Sequence, residues 1–322
     1  MKNTKIDVSI VLVTYNRPDG LKKSIEDIRN QSFKNFELII CDDASPDLKT
    51  IHIGEYFAAI DERITYYRQD KNLGMPGNLN FGLRKAKGEY IVILHDGDRF
   101  HTKLIEKWYN GISQNPGVGL CFTSLAYLDK SHNVVHKDLH FRNSGIKSGK
   151  KILRQKYFRS PLMSSIIWGE VMIRRTILEQ INFLDTQYSF WADVDAWMKV
   201  LDKYDAFYTA EALICMFPRH LQSNEFTTNQ TDKFFMFLSM FKKHRKSHFK
   251  DCPIRLFLEM LLFYCFGIYG FFYIGLINIK HKGYDGLLYH NKSMWKNKQY
   301  IFLPFTILLY PVLIFTNLKF KR

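Results

Sequence analysis

Cysteine is scarce and irregularly placed in this chain. Cys41, Cys121, Cys215, Cys252 and Cys265 are the only five in 322 residues, and none shares a CxxC spacing. An odd, unclustered set lying mostly in apolar runs excludes a disulfide framework and points to a reducing compartment. The eleven histidines lack zinc spacing, and no serine or cysteine falls into a nucleophile and base pattern. The N-terminal MKNTKIDVSIVLVTYNR has neither a long apolar h-region nor a small-residue cleavage site, so it reads as a first buried strand rather than a signal peptide. Acids are also in short supply, with 31 Asp and Glu against 46 Lys and Arg, a net charge of +15. There is no internal repeat and no low-complexity segment. With 46% hydrophobic residues the chain can bury a core, so disorder is not the expected state.

The positive charge is concentrated at one end. From Phe226 onward fifteen Lys and Arg stand against four acids (Asp232, Asp251, Glu259, Asp285), a surplus of eleven out of the +15. A basic tail suits nucleic acid or an anionic membrane surface. The apolar runs favour the membrane: Met260 to Ile279 is 20 residues without a charge and Ile301 to Leu318 another 18. Nucleic-acid binders set aromatics singly among basic residues, so nucleic acid is not an expected partner. Lys233 to Lys250 joins an aromatic half to a basic half, which suits the headgroup region. A hairpin of the two runs conflicts with the equally basic loop and C-terminus, so shallow or interfacial helices stand beside a crossing pair. Gly267, Gly270 and Gly275, with Pro304 and Pro311, predict broken helices. Burial of both runs in a soluble helical subdomain is the alternative.

Strand and helix signals alternate through the first half. VSIVLV (Val8 to Val13), FELIIC (Phe36 to Cys41), Ile64 to Tyr67 and YIVIL (Tyr90 to Leu94) read as buried strands, and Gly20 to Asn30, Asp47 to Ala59 and Gly77 to Ala86 as helices between them. This rhythm predicts an α/β fold, a Rossmann-like, mostly parallel sheet with helices on both faces. Val118 to Phe122 and Ile166 to Ile173 read as further strands and Arg174 to Gln180 as a helix, around a polar region from Asp129 to Lys150. A boundary near Asn224 to Asp232 divides a domain of residues 1–225 from a basic, aromatic, membrane-associated helical region, 226–322.

Ligands of such sheets sit at the carboxyl ends of strands, and three polar clusters fall there: Thr14-Tyr15-Asn16-Arg17, Asp42-Asp43-Ala44-Ser45 and His95-Asp96-Gly97-Asp98. Two carboxylates at i and i+2 on a turn can converge on one hard cation beside a diphosphate. Asp-Gly-Asp is also an ordinary turn sequence, and Asp42 and Asp43 also suit a turn or helix cap.

Together with NLGMPGNLNFGLRKAKGEYIVILHDGD, WADVDAW and PRHLQS, the VSIVLVTYNRPDGLKKSIEDIRNQSFKNFELIICDDAS segment resembles the family-2 glycosyltransferases of the GT-A fold, over most of residues 6 to 224. The resemblance implies an inverting transferase that uses a nucleotide-diphosphate sugar, UDP-sugar favoured, and a divalent metal, Mn²⁺ or Mg²⁺. It implies that Thr14, Tyr15 and Arg17 line the nucleotide pocket, that Asp43 binds the base, that Asp96 contacts ribose or metal, and that Asp98 and His220 hold the metal. Asp193 matches the general base, while the Glu that often precedes it is Ala192 here. Asp195 is assigned a structural or acceptor-binding role, Trp191 a face for a sugar ring, and Trp197 a place in the core. A helix cap at Asp193 or Asp195 is the plain alternative.

Family resemblance and membrane signals together imply a lipid-linked or oligosaccharide acceptor and a site at the cytoplasmic face of the cell membrane. The many spanning helices of a processive synthase are lacking, so one sugar per encounter is expected. Oligomeric state has no signal in the sequence.

Overall fold

The computed structural model describes residues 5–129, 131, 133–158, 169–216, 230–296 and 299–309. Two compact units divide the chain, residues 1–154 with 165–219 and residues 155–164 with 220–322.

The first unit is built on a ten-stranded mixed sheet. Strands β1 (Val8–Thr14), β2 (Phe36–Asp42), β3 (Ile64–Arg68) and β4 (Tyr90–His95) run parallel in the order β3-β2-β1-β4. Their connections are α1 (Pro18–Arg29), α2 (Leu48–Ile60) and α3 (Met75–Lys85). β1 is buried at every position, as a continuous β-branched run must be when both faces are covered.

Alternate residues show which helix covers which face. Ile10, Leu12, Leu38, Ile40, Val92 and Leu94 share one core with Leu21 and Ile25 of α1 and with Phe57 of α2. Val11 and Cys41 point the other way, where Gly82 of α3 lies so close that a Cβ there would reach 2.5 Å from Val11. Each fully buried Ile, Leu or Val contributes about 1.5–3 kcal/mol.

Beyond β4 the sheet mixes directions. The two-residue β5 (Arg99–Phe100) leads to α4 (Leu104–Ser113), then β6 (Val118–Leu128), β9 (Val171–Arg174), α6 (Arg175–Gln180), α7 (Ala192–Leu201) and β10 (Asp205–Met216). β9 is antiparallel to β4 and β6, while β10 runs parallel to β6. The polar region from Asp129 to Lys150 contains β7 (Val134–Asp138), β8 (Gly145–Lys147) and the start of α5 (Gly149–Ile152). β7 pairs with β6 and β8 with β10 at the margin of the sheet, where Val134, Val135 and Ile146 are exposed and no alternation of apolar and polar residues marks a strand. Of the Ile166 to Ile173 strand, residues 166–168 lie outside the described residues.

In the second unit α8 (Gln230–His248) precedes the 44-residue α9 (Pro253–Lys296). α9 is not straight. The Phe271 and His290 rings are centred 4.5 Å apart, whereas a straight helix would hold them about 28 Å apart, so the axis reverses between them. Gly267, Gly270 and Gly275, expected to break the helix, lie in the arm Pro253–Ile279 that packs along α8. They are small because neighbours press on them, Phe302 at Gly267, Phe234 at Gly270 and Leu309 at Gly275. Of the second apolar run, residues 301–309 form short helical turns including α10 (Leu303–Thr306); Pro311 lies outside the described residues.

Candidate active site

The strand ends assemble the first half of the site. β1 and β2 are in register with Thr14 opposite Asp42, and β1 and β4 with Val13 opposite His95. The residues just past each strand are therefore neighbours. Each strand exit turns through a left-handed residue, Asn16 (φ 55), Ala44 (φ 61) and Gly97 (φ 85). Asn and Gly adopt that region at low cost, while Ala44 is held there by its surroundings. Ser45 Oγ accepts the Asn16 N–H at 2.8 Å and donates to Asp42 Oδ1 at 2.5 Å. Asp42 also accepts the Tyr66 hydroxyl at 2.6 Å.

Thr14, Arg17 and Asp96 form one cluster. Thr14 Oγ1 donates to Asp96 Oδ2 at 2.7 Å, and Arg17 Nη1 lies 3.5 Å from Asp96 Oδ1. The Asp43 N–H donates to the Thr14 carbonyl at 3.0 Å, and Asp43 Oδ1 accepts the Leu73 N–H at 2.7 Å. Burial raises the Asp43 carboxyl above its ordinary value, opposed by the Leu73 and Gly74 N–H groups and reinforced by the neighbouring charge of Asp42. Tyr15 is 48% exposed beside them.

The Asp96-Gly97-Asp98 turn is fixed from both sides. Ser24 Oγ of α1 donates to the Asp98 carbonyl at 2.9 Å and accepts the Gly97 N–H at 3.1 Å. Gly20 approaches Gly97 backbone to backbone, where a Cβ would meet Gly97 Cα at 2.9 Å. Just beyond, Arg99 grips Asp27 through two bonds of 2.6 and 2.8 Å, and β5 pairs with β10 through Arg99 and Cys215. Asp96 and Asp98 are both buried. Among the described residues no three His, Cys, Asp or Glu side chains converge. Two hard carboxylates nevertheless fit a cation that takes the rest of its oxygen shell from a diphosphate and water, as Mg²⁺ commonly does. His220 lies outside the described residues.

The second half of the site is the amino end of α7. A 3₁₀ segment, Thr186–Trp191, is capped by Asp185 and contains Ser189 at φ 43 and ψ −112. This kink delivers Asp193 into the first turn of α7, where the helix dipole favours an anion. Asp193 is 7% exposed and accepts the Val194 N–H at 2.7 Å. Asp195 is fully buried and paired with Lys199 at 2.6 Å. Its charge assists burial in pushing the nearby Tyr188 up to about 12. Trp191 is buried, edge-on to Phe190, and Trp197 lies in the core as expected.

Helix α3 joins the two halves. Leu73 and Gly74, at its amino end, hold Asp43, while Asn80 within it bonds the backbone of Leu184 in both directions, at 2.8 and 3.0 Å. Arg84 stacks on Phe183 at 4.2 Å. Neither Asn80 nor Tyr66 was singled out from sequence. An Asn in a helix interior, where it is intrinsically unfavourable, was the available signal for Asn80.

Residues 9–182 match Glycosyl transferase family 2. An uncharacterized glycosyltransferase of Methanocaldococcus jannaschii is 26% identical over 283 residues, covering 85% of this chain and 94% of its own. The GalNAc(5)-diNAcBac-PP-undecaprenol beta-1,3-glucosyltransferase of Campylobacter jejuni is 27% identical over 206 residues, 64% of this chain and 62% of its own. Among solved structures, S. aureus TarS 1-349 in complex with UDP-GlcNAc superimposes with a TM-score of 0.61 at 14% identity, covering 74% of this chain and 66% of that one. The matched segment begins in the strand that carries Thr14 and ends beside the Asn80 clamp, so it contains the whole strand-end cluster; with more than half of its residues matched, this chain is a GT-A glycosyltransferase and belongs to glycosyl transferase family 2.

Proposed function

We propose that the enzyme transfers one sugar, with inversion, from a UDP-sugar to a hydroxyl of a lipid-linked glycan at the cytoplasmic face of a membrane. The observation that carries the donor half is the junction of Thr14, Arg17 and Asp96 beside Asp43 at adjoining strand ends. Asp43 offers a carboxylate to the N–H edge of the base, with half-exposed Tyr15 flanking it. Arg17 brings positive charge towards the diphosphate. Asp96 and Asp98 are the residues that would hold the divalent metal, together with His220, which the family resemblance alone assigns. Such an ion, when bound, offsets charge on the leaving diphosphate.

Asp193 is the proposed base. As the acceptor oxygen attacks the anomeric carbon, its proton passes to Asp193, the bond from that carbon to the diphosphate oxygen breaks, and the nucleoside diphosphate leaves with the electron pair. A single displacement inverts the centre. Asp195, held by Lys199, fixes the first turn of α7 beneath the base, and its burial with that of Trp191 supports supporting roles for both more than direct contact with the acceptor.

A lipid-linked acceptor is supported by the undecaprenol-linked substrate in the name of the Campylobacter jejuni relative and by the apolar arm of α9. The test is transfer from a panel of nucleotide-sugars to polyprenyl-diphosphate-linked and to free glycans, with the product's anomeric configuration read by NMR. An inverted product on the lipid-linked acceptor is expected; a retained configuration overturns the mechanism, and equal turnover of free glycans overturns the acceptor.

A further inference from the structure

The first arm of α9, Pro253–Ile279, is long and apolar enough to cross a bilayer, yet only a third of its apolar window is buried. Phe263, Phe271 and Ile274 mark its buried side, the side on which Gly267 and Gly270 admit Leu238 and Phe234 of α8. On the other side Ile254, Leu258, Leu261, Tyr269, Tyr273 and Leu276 are 42–78% exposed. Their helical spacing makes one apolar stripe along the whole arm, which water does not tolerate cheaply.

The partner helix decides how that stripe meets a membrane. α8 runs antiparallel to the arm: Asn278 bonds Thr231, Gly270 meets Phe234, Gly267 meets Leu238, and Arg245 stacks on Phe263 at 5.0 Å. Lys242 lies over Tyr264 at 5.6 Å. Lys242 and Lys243 are therefore level with Tyr264, four residues past the Met260 that starts the uncharged run, and the returning part of α9 sets exposed Lys292 two residues beyond the His290 that packs on Phe271, near the middle of that run. If the arm crossed, these charges would be drawn into the hydrocarbon, Lys292 to the depth where charge is tolerated least. If it lies flat, the α8 lysines reach headgroups while the stripe reaches acyl chains.

We propose that the arm docks on an anionic lipid bilayer with its axis in the plane of the surface, the stripe from Ile254 to Leu276 immersed and the α8 lysines among the headgroups. This deepens the membrane part of the reading above and is independent of which sugar is transferred.

Spin labels placed singly at Ile254, Leu261, Tyr269 and Leu276, in full-length protein with the exposed Cys252 and Cys265 replaced by Ser, report depth from relaxation by oxygen and by a nickel chelate. In phosphatidylcholine vesicles with about 30% phosphatidylglycerol, all four labels should share a depth of about 5–10 Å below the headgroups. Deep labels at Leu261 and Tyr269 with Ile254 and Leu276 at opposite surfaces would overturn the proposal, as would no immersion at any position. Lys242, Lys243 and Lys246 changed together to Glu should weaken vesicle affinity by about tenfold or more, and unchanged affinity would overturn the role given to the lysines. Sugar transfer assayed on the same preparations in detergent separates failure of docking from failure of the enzyme.

Discussion

The side-chain amide of Asn80 pairs with both backbone polar groups of Leu184, its Nδ2 donating to the carbonyl and its Oδ1 accepting the N–H. It thereby acts as a one-residue strand that ties α3 to the segment leading into Asp193, the proposed base. Asn80→Ala should lower kcat by about tenfold to a hundredfold through a displaced Asp193 while donor affinity changes less than about threefold. The leaving of two buried backbone groups unpaired should also cost about 1–3 kcal/mol in urea unfolding. Equal losses in kcat and donor affinity would contradict a positioning role.

Asp193→Asn keeps the shape and removes the basicity. Turnover should fall by about 10²–10⁴ while UDP-sugar affinity, measured by calorimetry, stays within a few-fold of wild type. Asp195→Asn should cost less in rate and more in stability, since it removes the buried charge that pairs with half-buried Lys199. Normal turnover in Asp193→Asn would move the base elsewhere.

Metal removal should abolish transfer. Chelator treatment of the wild type and Asp98→Asn should each reduce activity with every donor by at least about a hundredfold, and added Mn²⁺ or Mg²⁺ should restore only the chelated wild type. Full turnover in chelator would exclude the metal role of the Asp96-Gly97-Asp98 turn.

With Asp43 as the proposed partner of the base, its raised pKa should set the acid limit of donor binding. A carboxylate that accepts a base N–H must be ionised, so affinity should fall with decreasing pH through a pKa above the ordinary range. The fold itself gains from this protonation, because a carboxyl whose folded pKa exceeds its unfolded one stabilises the native state on the acid side. Loss of binding should therefore precede any acid unfolding. Calorimetric titrations against pH check this, and Asp43→Asn should bind weakly with no dependence over that limb.

The parallel half of the sheet was legible because β1, β2 and β4 are covered on both faces and are apolar over most of their length. β7 and β8 were not, since an edge strand such as Val134–Asp138 is exposed along most of its length and shows no alternation. β10 contains register shifts that interrupt its period around Thr209 to Ile214. The strand-end carboxylates could be named because a turn after a buried strand is a local pattern. The Asn80 clamp joins residues 104 apart, and the Tyr66 bond to Asp42 spans 24, so neither leaves a local trace. The glycines of α9 do not by themselves mark where its axis reverses, because the same lack of a side chain serves a hinge and a tight helix contact.

At Gly20 and Gly97 two backbones touch with no side chain between them. Helix α1 and the carboxylate turn therefore pack directly on one another, and a single added methyl at Gly20 would force one of them to shift. For anyone seeking to redirect the enzyme to another donor, this divides the rim of the pocket into fixed and negotiable ground. Gly20, Ser24 and Gly97 belong to the chassis and will reject change whatever the sugar. Tyr15, half open to solvent on the same strand exit and proposed to flank the base, is the position where change should be tolerated.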